Sequence, residues 1–357
     1  MSVLAPRRIL VGGYTDEPSG EIGPHGIVPI LHDPSGEIGP HGIVPILHDP
    51  SDGSLRQEGP SLELASPSYL LRHPQQPLVY AVNETDPAAV STIGIGRPLR
   101  VRSQLAIPGQ LPCHLCLSPD LRHLLVANYG SGNVVAVRLD ADGVPQEVAG
   151  VFDSYGAGPH PRQDGPHAHH VLPGPDGHWV VDLGADVVRR LHLSPTGTLE
   201  EGEPVVALPA GTGPRQIRLS ASRRTAYVLG ELSGELITVA CKPGRSGTIV
   251  NRRPAWLTEP SGENLPAHLL VDGDRLYVSH RGLNRITVFS LTTDAPTPLT
   301  EIETGAWPRH FALRGGWLYI ADQLDDRITA KALTSSGDSL ETSLHTAMRR
   351  PSCVLPL

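Results

Sequence analysis

One pattern runs through the whole chain: a proline, an apolar strand, a turn, then a second apolar strand ending on a polar or charged residue. It begins at Pro67, Pro112, Pro166, Pro214, Pro266 and Pro308, at intervals of roughly 42 to 54 residues. A seventh start, at Pro351, comes just before the chain ends. Its missing second strand has a match at the other terminus, in residues 8–14 (RILVGGY). Further apolar strands follow each hairpin and close on Asp-Gly or Thr-Gly turns, as in residues 133–143 and 187–197. Four strands per unit, with the first and last residues sharing one unit, predict an all-β, seven-bladed β-propeller of four-stranded antiparallel blades. The two termini close the ring, so neither leaves an open sheet edge. A β-sandwich would explain the density of strands, but neither the phased prolines nor the split unit.

A single domain over residues 1–357 is expected, since all-β architectures often extend well past the usual domain length. Gly (38) and Pro (36) are spread along the chain, as many evenly spaced turns require. Aromatic residues make up only 4%, so the core must be built from Val, Leu, Ile and Ala. One segment breaks the repeat. Residues 18–33 recur without a change as residues 34–49, whereas divergent blades resemble one another only loosely. The extra copy is expected as a loop or added hairpin on the first blade. His25 and His41 occupy equivalent places in the two copies and are assigned no function.

The formal net charge is −8 and no Lys/Arg run stands out, which argues against nucleic acid or an anionic membrane as partner. No stretch approaches the ~18 apolar residues of a membrane span, and the N-terminus lacks the features of a secretion signal. A cytoplasmic location is expected. Four cysteines are too few for a disulfide scaffold. Cys113 and Cys116 form a C-x-x-C inside a strand pattern with no second pair, so neither a zinc nor a redox role is expected.

In a propeller the innermost strand leaves one face of the ring and the second strand returns to it. Residues just after each proline therefore lie beside those ending each second strand, around the mouth of the central channel. The first set is Ser68, Cys113, His167, Arg215, Ala267, Arg309 and Ser352; the second is Tyr14, Glu84, Tyr129, Leu183, Glu231, Arg281 and Gln323. His169 follows two residues after His167 on the same side. Charged residues rarely converge without a purpose, and this set predicts a site for a polar, anionic small molecule. Arg side chains bind carboxylate or phosphate through two N–H groups, and a His or Glu can exchange protons near neutral pH. His167 and His169 could share a metal only with a third ligand from another blade, which nothing in the sequence supplies. No cofactor is expected. No G-x-S-x-G elbow and no P-loop occur.

The segments GGYTDE, LVYAVNE, VANYGSGNV, RQDGPHAHHV, DLGAD, GPRQI, VLGEL, YVSHRGLN and WPRHFAL together resemble the seven-bladed propeller lactonases. The family's best-known members are 6-phosphogluconolactonases, and the fungal muconate cycloisomerases are a related branch. The resemblance spans the chain in order. It implies hydrolysis of 6-phosphogluconolactone to 6-phosphogluconate in the oxidative pentose phosphate route. The cycloisomerase branch is thought to use a His, two Arg and a Glu without a metal, which correspond by motif to His169 or His167, Arg215, Arg281 and Glu231. What the resemblance implies for these is a catalytic set. Arg309 and Arg162 are expected to bind the anionic group of the lactone, with Glu84, Tyr14 and Tyr129 completing the binding surface. Two other readings stay open: a metal-independent cycloisomerase or lactonase on another carboxylate lactone, and a non-enzymatic binding propeller.

Overall fold

The structure, a computed structural model, describes residues 5–15, 41–293, 295–334 and 339–357. Its strands form seven antiparallel sheets, each packed on the next in a ring. The repeat beginning at Pro214 shows the plan: Pro214–Leu219 lies innermost, then Thr225–Gly230, Glu235–Lys242 and Arg245–Pro254 outward. The second strand of each blade is packed on both faces, and Leu78–Asn83 and His123–Asn128 are buried at every position. The outermost strand has one wet face, so Arg245–Pro254 alternates exposed and half-buried residues. Aliphatic clusters fill the spaces between blades; one joins Val82 and Val90 to Leu115, Val126 and Val137 of the next blade.

The ring closes as the repeat requires. Pro351–Pro356 is the innermost strand of the blade whose second strand is Arg7–Gly13, with Val11 opposite Val354 and Gly12 opposite Cys353. Gly12 is needed at that place, because a Cβ there would collide with the Pro67 carbonyl oxygen of the adjoining blade. The third strand of this blade, Ile43–His48, comes from the second copy of the duplicated segment. The first copy, with His25 and the expected extra loop or hairpin, lies outside the described residues.

One blade departs from four strands. Beside Val187–Leu193 the outer edge is split, with Leu199–Glu201 pairing one end and Val206–Ala207 the other.

A β-bulge near the start of the inner strand positions the site. Pro112 faces Asn128 and His114 faces Ala127, leaving Cys113 as the extra residue. The same shift makes Arg215, Arg309 and Ser352 the extra residues of their strands. In the blade of Ala168–Gly174 the extra residue is His169, between Ala168 opposite Asp182 and His170 opposite Val181. This corrects the phase expected from the prolines: Ala168, not Pro166, takes the proline's place, and the structural counterpart of Arg215 is His169. A bulge re-aims side chains at a sheet end, and here the re-aimed residues, His169, Arg215, Arg309, Cys113 and Ser352, all line the channel.

Candidate active site

The channel-mouth residues are not a solvated rim. Arg215, Arg309, His169 and His167 are each 6–7% exposed, and Glu231 has no exposure. An enclosed carboxylate needs counter-charge. Glu231 has three: Arg162 Nη2 at 2.5 Å from Oε1, Arg215 Nη1 at 2.7 Å from Oε2, and Arg281 Nη2 at 2.8 Å from Oε2. Burial opposes ionisation of Glu231, but Arg281, Arg215 and Arg162 outweigh it and hold its carboxyl well below the usual range.

Each arginine is fixed at a second point. Arg215 Nε donates to the Ala267 carbonyl at 2.6 Å, and Nη1 also donates to His169 Nε2. Arg281 Nε donates to the Leu265 carbonyl at 3.1 Å, and its guanidinium lies over the Trp307 ring. Its Nη2 forms the ion pair with Glu231 off the hydrogen-bond axis, and among the described residues no other acceptor meets it. Burial, only partly offset by Glu231, presses Arg281 down to about 9, with Arg215 and Arg309 adding to the shift. Arg162 comes from a loop that the DLGAD segment ties down. Gln163, fully buried, donates to the Leu183 carbonyl and to Asp186 Oδ1, both at 2.8 Å. Asp186 also accepts the Gly211 and Gly213 N–H groups, which fixes the entry to the Arg215 strand.

The two candidate histidines differ in their surroundings. His167 stacks on Tyr129 with ring centroids 4.5 Å apart, and its Nδ1 lies 2.8 Å from the Tyr129 carbonyl. Its Nε2 faces Asp164 Oδ1 at 3.2 Å, and its own N–H is held by Asp182. Both ring nitrogens are therefore engaged. His169 instead lines the channel. Arginine can only donate, so the Nε2 of His169 is an acceptor and its lone pair is directed at Arg215.

A second group stands across the channel. Tyr14 donates to Glu84 Oε2 at 2.9 Å, and Arg309 lies over the Tyr14 ring, 5.1 Å from its centroid. Burial raises the Tyr14 hydroxyl far above its ordinary value, so it stays protonated as a donor. Arg309 has no carboxylate within ion-pair distance among the described residues, and it lines the same cavity as Glu84, His169 and Arg215. Around the mouth Arg162, Arg215, Arg281, Arg309 and Arg350 outnumber Glu84, Glu231 and Asp164, and the excess favours an anionic ligand.

All ten residues expected at the site therefore fall into these two groups or, as Tyr129 and His167, into the wall between them. Trp307 under Arg281, and Arg350 over Tyr14 at 5.8 Å, were not anticipated. Both sit immediately before a repeat proline, at positive φ, a place the repeat marks as plainly as the residue after it. Among the described residues no group of three or more His, Cys, Asp or Glu is placed to hold a metal ion.

Residues 8–356 match the family model of the lactonases with a seven-bladed β-propeller. The chain belongs to that family. A 6-phosphogluconolactonase of Bacillus subtilis is 30% identical over 239 residues, 64% of this chain and 68% of that one. Among solved structures, a Lactobacillus plantarum protein superimposes with a TM-score of 0.86 at 26% identity, covering 99% of this chain and 100% of the other. A periplasmic gluconolactonase of Pseudomonas aeruginosa gives 0.84 at 25% identity, covering 99% of each chain. As a member of this family the chain is a lactone hydrolase, and the channel mouth is where its structure gathers acid–base groups with anion-binding ones. No helix among the described residues is long and apolar enough to cross a membrane.

Proposed function

We propose that the chain hydrolyses 6-phosphogluconolactone to 6-phosphogluconate at the channel mouth, in the cytoplasm, as a step of the oxidative pentose phosphate route. The observation that carries this reading is Arg215, held between Glu231 and His169 Nε2 at the centre of a cationic mouth. The Bacillus subtilis relative supports the phosphorylated substrate, and the uncommitted Arg309 supplies a place for its phosphate.

The lactone carbonyl oxygen sits against Arg215, with the Arg281 charge held close behind it by Glu231. As Arg215 turns toward that oxygen it releases His169 Nε2. The freed nitrogen takes a proton from the attacking water while the new C–O bond forms at C1. The two guanidiniums stabilise the resulting oxyanion. The tetrahedral centre then expels the ring oxygen, which receives the proton from His169, and the open acid ionises as it leaves. Glu231 takes no proton; it keeps three cations at fixed distances. His167 holds the Tyr129 backbone, and so one wall of the site.

The test compares phosphorylated and unphosphorylated gluconolactone, each corrected for spontaneous hydrolysis. The expected result is higher kcat/KM for the phosphorylated lactone, with Arg309→Met abolishing that preference. Equal turnover of both lactones would remove phosphate from the reading and leave a gluconolactonase, the activity named for the Pseudomonas aeruginosa neighbour.

A further inference from the structure

The circle of side chains at the channel mouth is lopsided. Three consecutive blades bring small residues to it, Ser352, Ser68 and Cys113, whereas His169, Arg215 and Arg309 crowd the rest of the circle. Glu84 stands in the small arc. It directly follows the second strand of the Ser68 blade, Leu78–Asn83, and its backbone N–H donates to the Ser66 carbonyl at 3.0 Å.

Among the described residues that line the channel, Glu84 is the one acid. Glu231 is enclosed behind its three guanidiniums and has no exposure, but Glu84 is 9% exposed and borders the same space as His169 and Arg215. Its side chain is anchored on one oxygen only, where Tyr14 donates to Oε2 at 2.9 Å. The other oxygen, Oε1, meets no donor among the described residues and keeps some surface on the channel.

No neighbour neutralises this carboxylate by direct contact. Arg309 lies over the Tyr14 ring, and among the described residues no Lys or Arg comes within ion-pair distance of Glu84. The next residue of the inner strands adds a ring of histidines, His114, His170, His268 and His310. Burial holds all four far below their ordinary pKa, so they are neutral at pH 7 and offer Glu84 no cation.

A carboxylate only accepts hydrogen bonds, so a ligand group that meets Oε1 has to be a donor. An ammonium group is repelled by the guanidiniums around the mouth. The donors that fit are neutral hydroxyls, and a hydroxyl bonded to a carboxylate makes a bond roughly twice as strong as one between neutral partners.

We infer that Glu84 selects lactones that carry hydroxyl groups, Oε1 accepting a substrate hydroxyl while the lactone carbonyl lies against Arg215 across the channel. This selection rests on the channel mouth being the hydrolytic site, and it makes the substrate a polyhydroxylated, sugar-derived lactone. Tyr14 is a positioning residue, since its bond to Oε2 leaves Oε1 to the ligand.

The test uses the full chain and two lactones without phosphate, glucono-1,5-lactone and δ-valerolactone, which has the same ring and no hydroxyl. Each kcat/KM is divided by the spontaneous rate, because the hydroxyls also activate the ring. The wild type is expected to favour gluconolactone by about 100-fold or more. Glu84→Met should remove most of that preference by lowering kcat/KM for gluconolactone alone. Glu84→Gln, whose amide oxygen still accepts, should keep part of it. Arg215→Met should slow both lactones alike. A wild type without preference overturns the proposal, whether or not the variants fold. If Arg215→Met slows both lactones while folded Glu84→Met keeps the preference, or lowers the two equally, the role of Glu84 alone falls. If Arg215→Met slows neither, the mouth is not the hydrolytic site and the role of Glu84 falls with it.

Discussion

Arg215 and Glu231 meet at 2.7 Å in the wall of the channel, at a point where Glu231 has no contact with water. Glu231 is linked to the candidate base through this contact, since Arg215 Nη1 also donates to His169 Nε2. Changing Glu231→Gln keeps the shape and removes the charge that balances the arginines. Removing one partner of a buried ion pair costs about 3–5 kcal/mol, and loss of oxyanion preorganisation costs about 100-fold or more in kcat. Urea unfolding and steady-state hydrolysis measure the two effects separately. Turnover within threefold of wild type would remove Glu231 from the site.

The two histidines should separate just as sharply. His169 lines the channel, with Nε2 facing Arg215 and Nδ1 3.9 Å from Cys113 Sγ, whereas the ring nitrogens of His167 face the Tyr129 carbonyl and Asp164. His169→Asn is expected to lower kcat by about 10²–10⁴-fold, the usual worth of a general base. His167→Asn should act mainly on stability and KM through the displaced Tyr129 wall. A larger fall in kcat for His167→Asn than for His169→Asn would reverse the assignment.

The repeat made the blades and the closure readable from the sequence, because strand period and turn chemistry are local properties, and it named most of the residues that the structure gathers at the channel mouth. What it concealed is a matter of register. Pro166 aligns by residue type, but the bulge in its blade begins at Ala168, and a bulge is set by how two strands pair. The His ring had a visible trace: His114, His268 and His310 each stand two residues after a repeat proline. Those positions became meaningful only once the bulge turned that residue, along with the one before it, into the channel. Arg218, on a strand otherwise read as apolar, carried no mark at all. It donates to His170 of the neighbouring blade, and partners across blades cannot be read along one strand.

Buried histidines set the acid limit of the fold. Burial lowers His280 to about 4 and His310 to about 3, against ~6.5 in an unfolded chain. Between those values the unfolded state binds the additional protons. The stability these groups contribute is therefore complete above pH ~6.5 and is lost as pH falls toward the folded values, at about 1.4 kcal/mol per pH unit for each residue. Glu231, whose folded pKa lies well below 4.5, adds to the loss only below that pH. Urea midpoints measured from pH 7.5 to 4.5 should decline steadily, and His280→Asn should make the decline shallower by one proton. A flat profile would show that these rings are hydrated in solution.

The duplicated segment yields the last prediction. The strand that completes the first blade is Ile43–His48, from the second copy, and it pairs with Arg7–Gly13 from Arg7 opposite His48 to Gly12 opposite Ile43. Deleting residues 18–33 removes one copy and leaves the sequence before and after the junction identical over the remaining copy. The shortened chain keeps every paired residue of the blade, together with Tyr14 and its bond to Glu84. A longer connection raises closure entropy only slowly, by roughly 0.6 kcal/mol per doubling, so the two chains should differ little. The deletion variant is expected to match the full chain in kcat/KM and to unfold within a few degrees of it or slightly higher. A loss of folding or activity would assign the first copy a place in the blade that the strand pairing gives to the second.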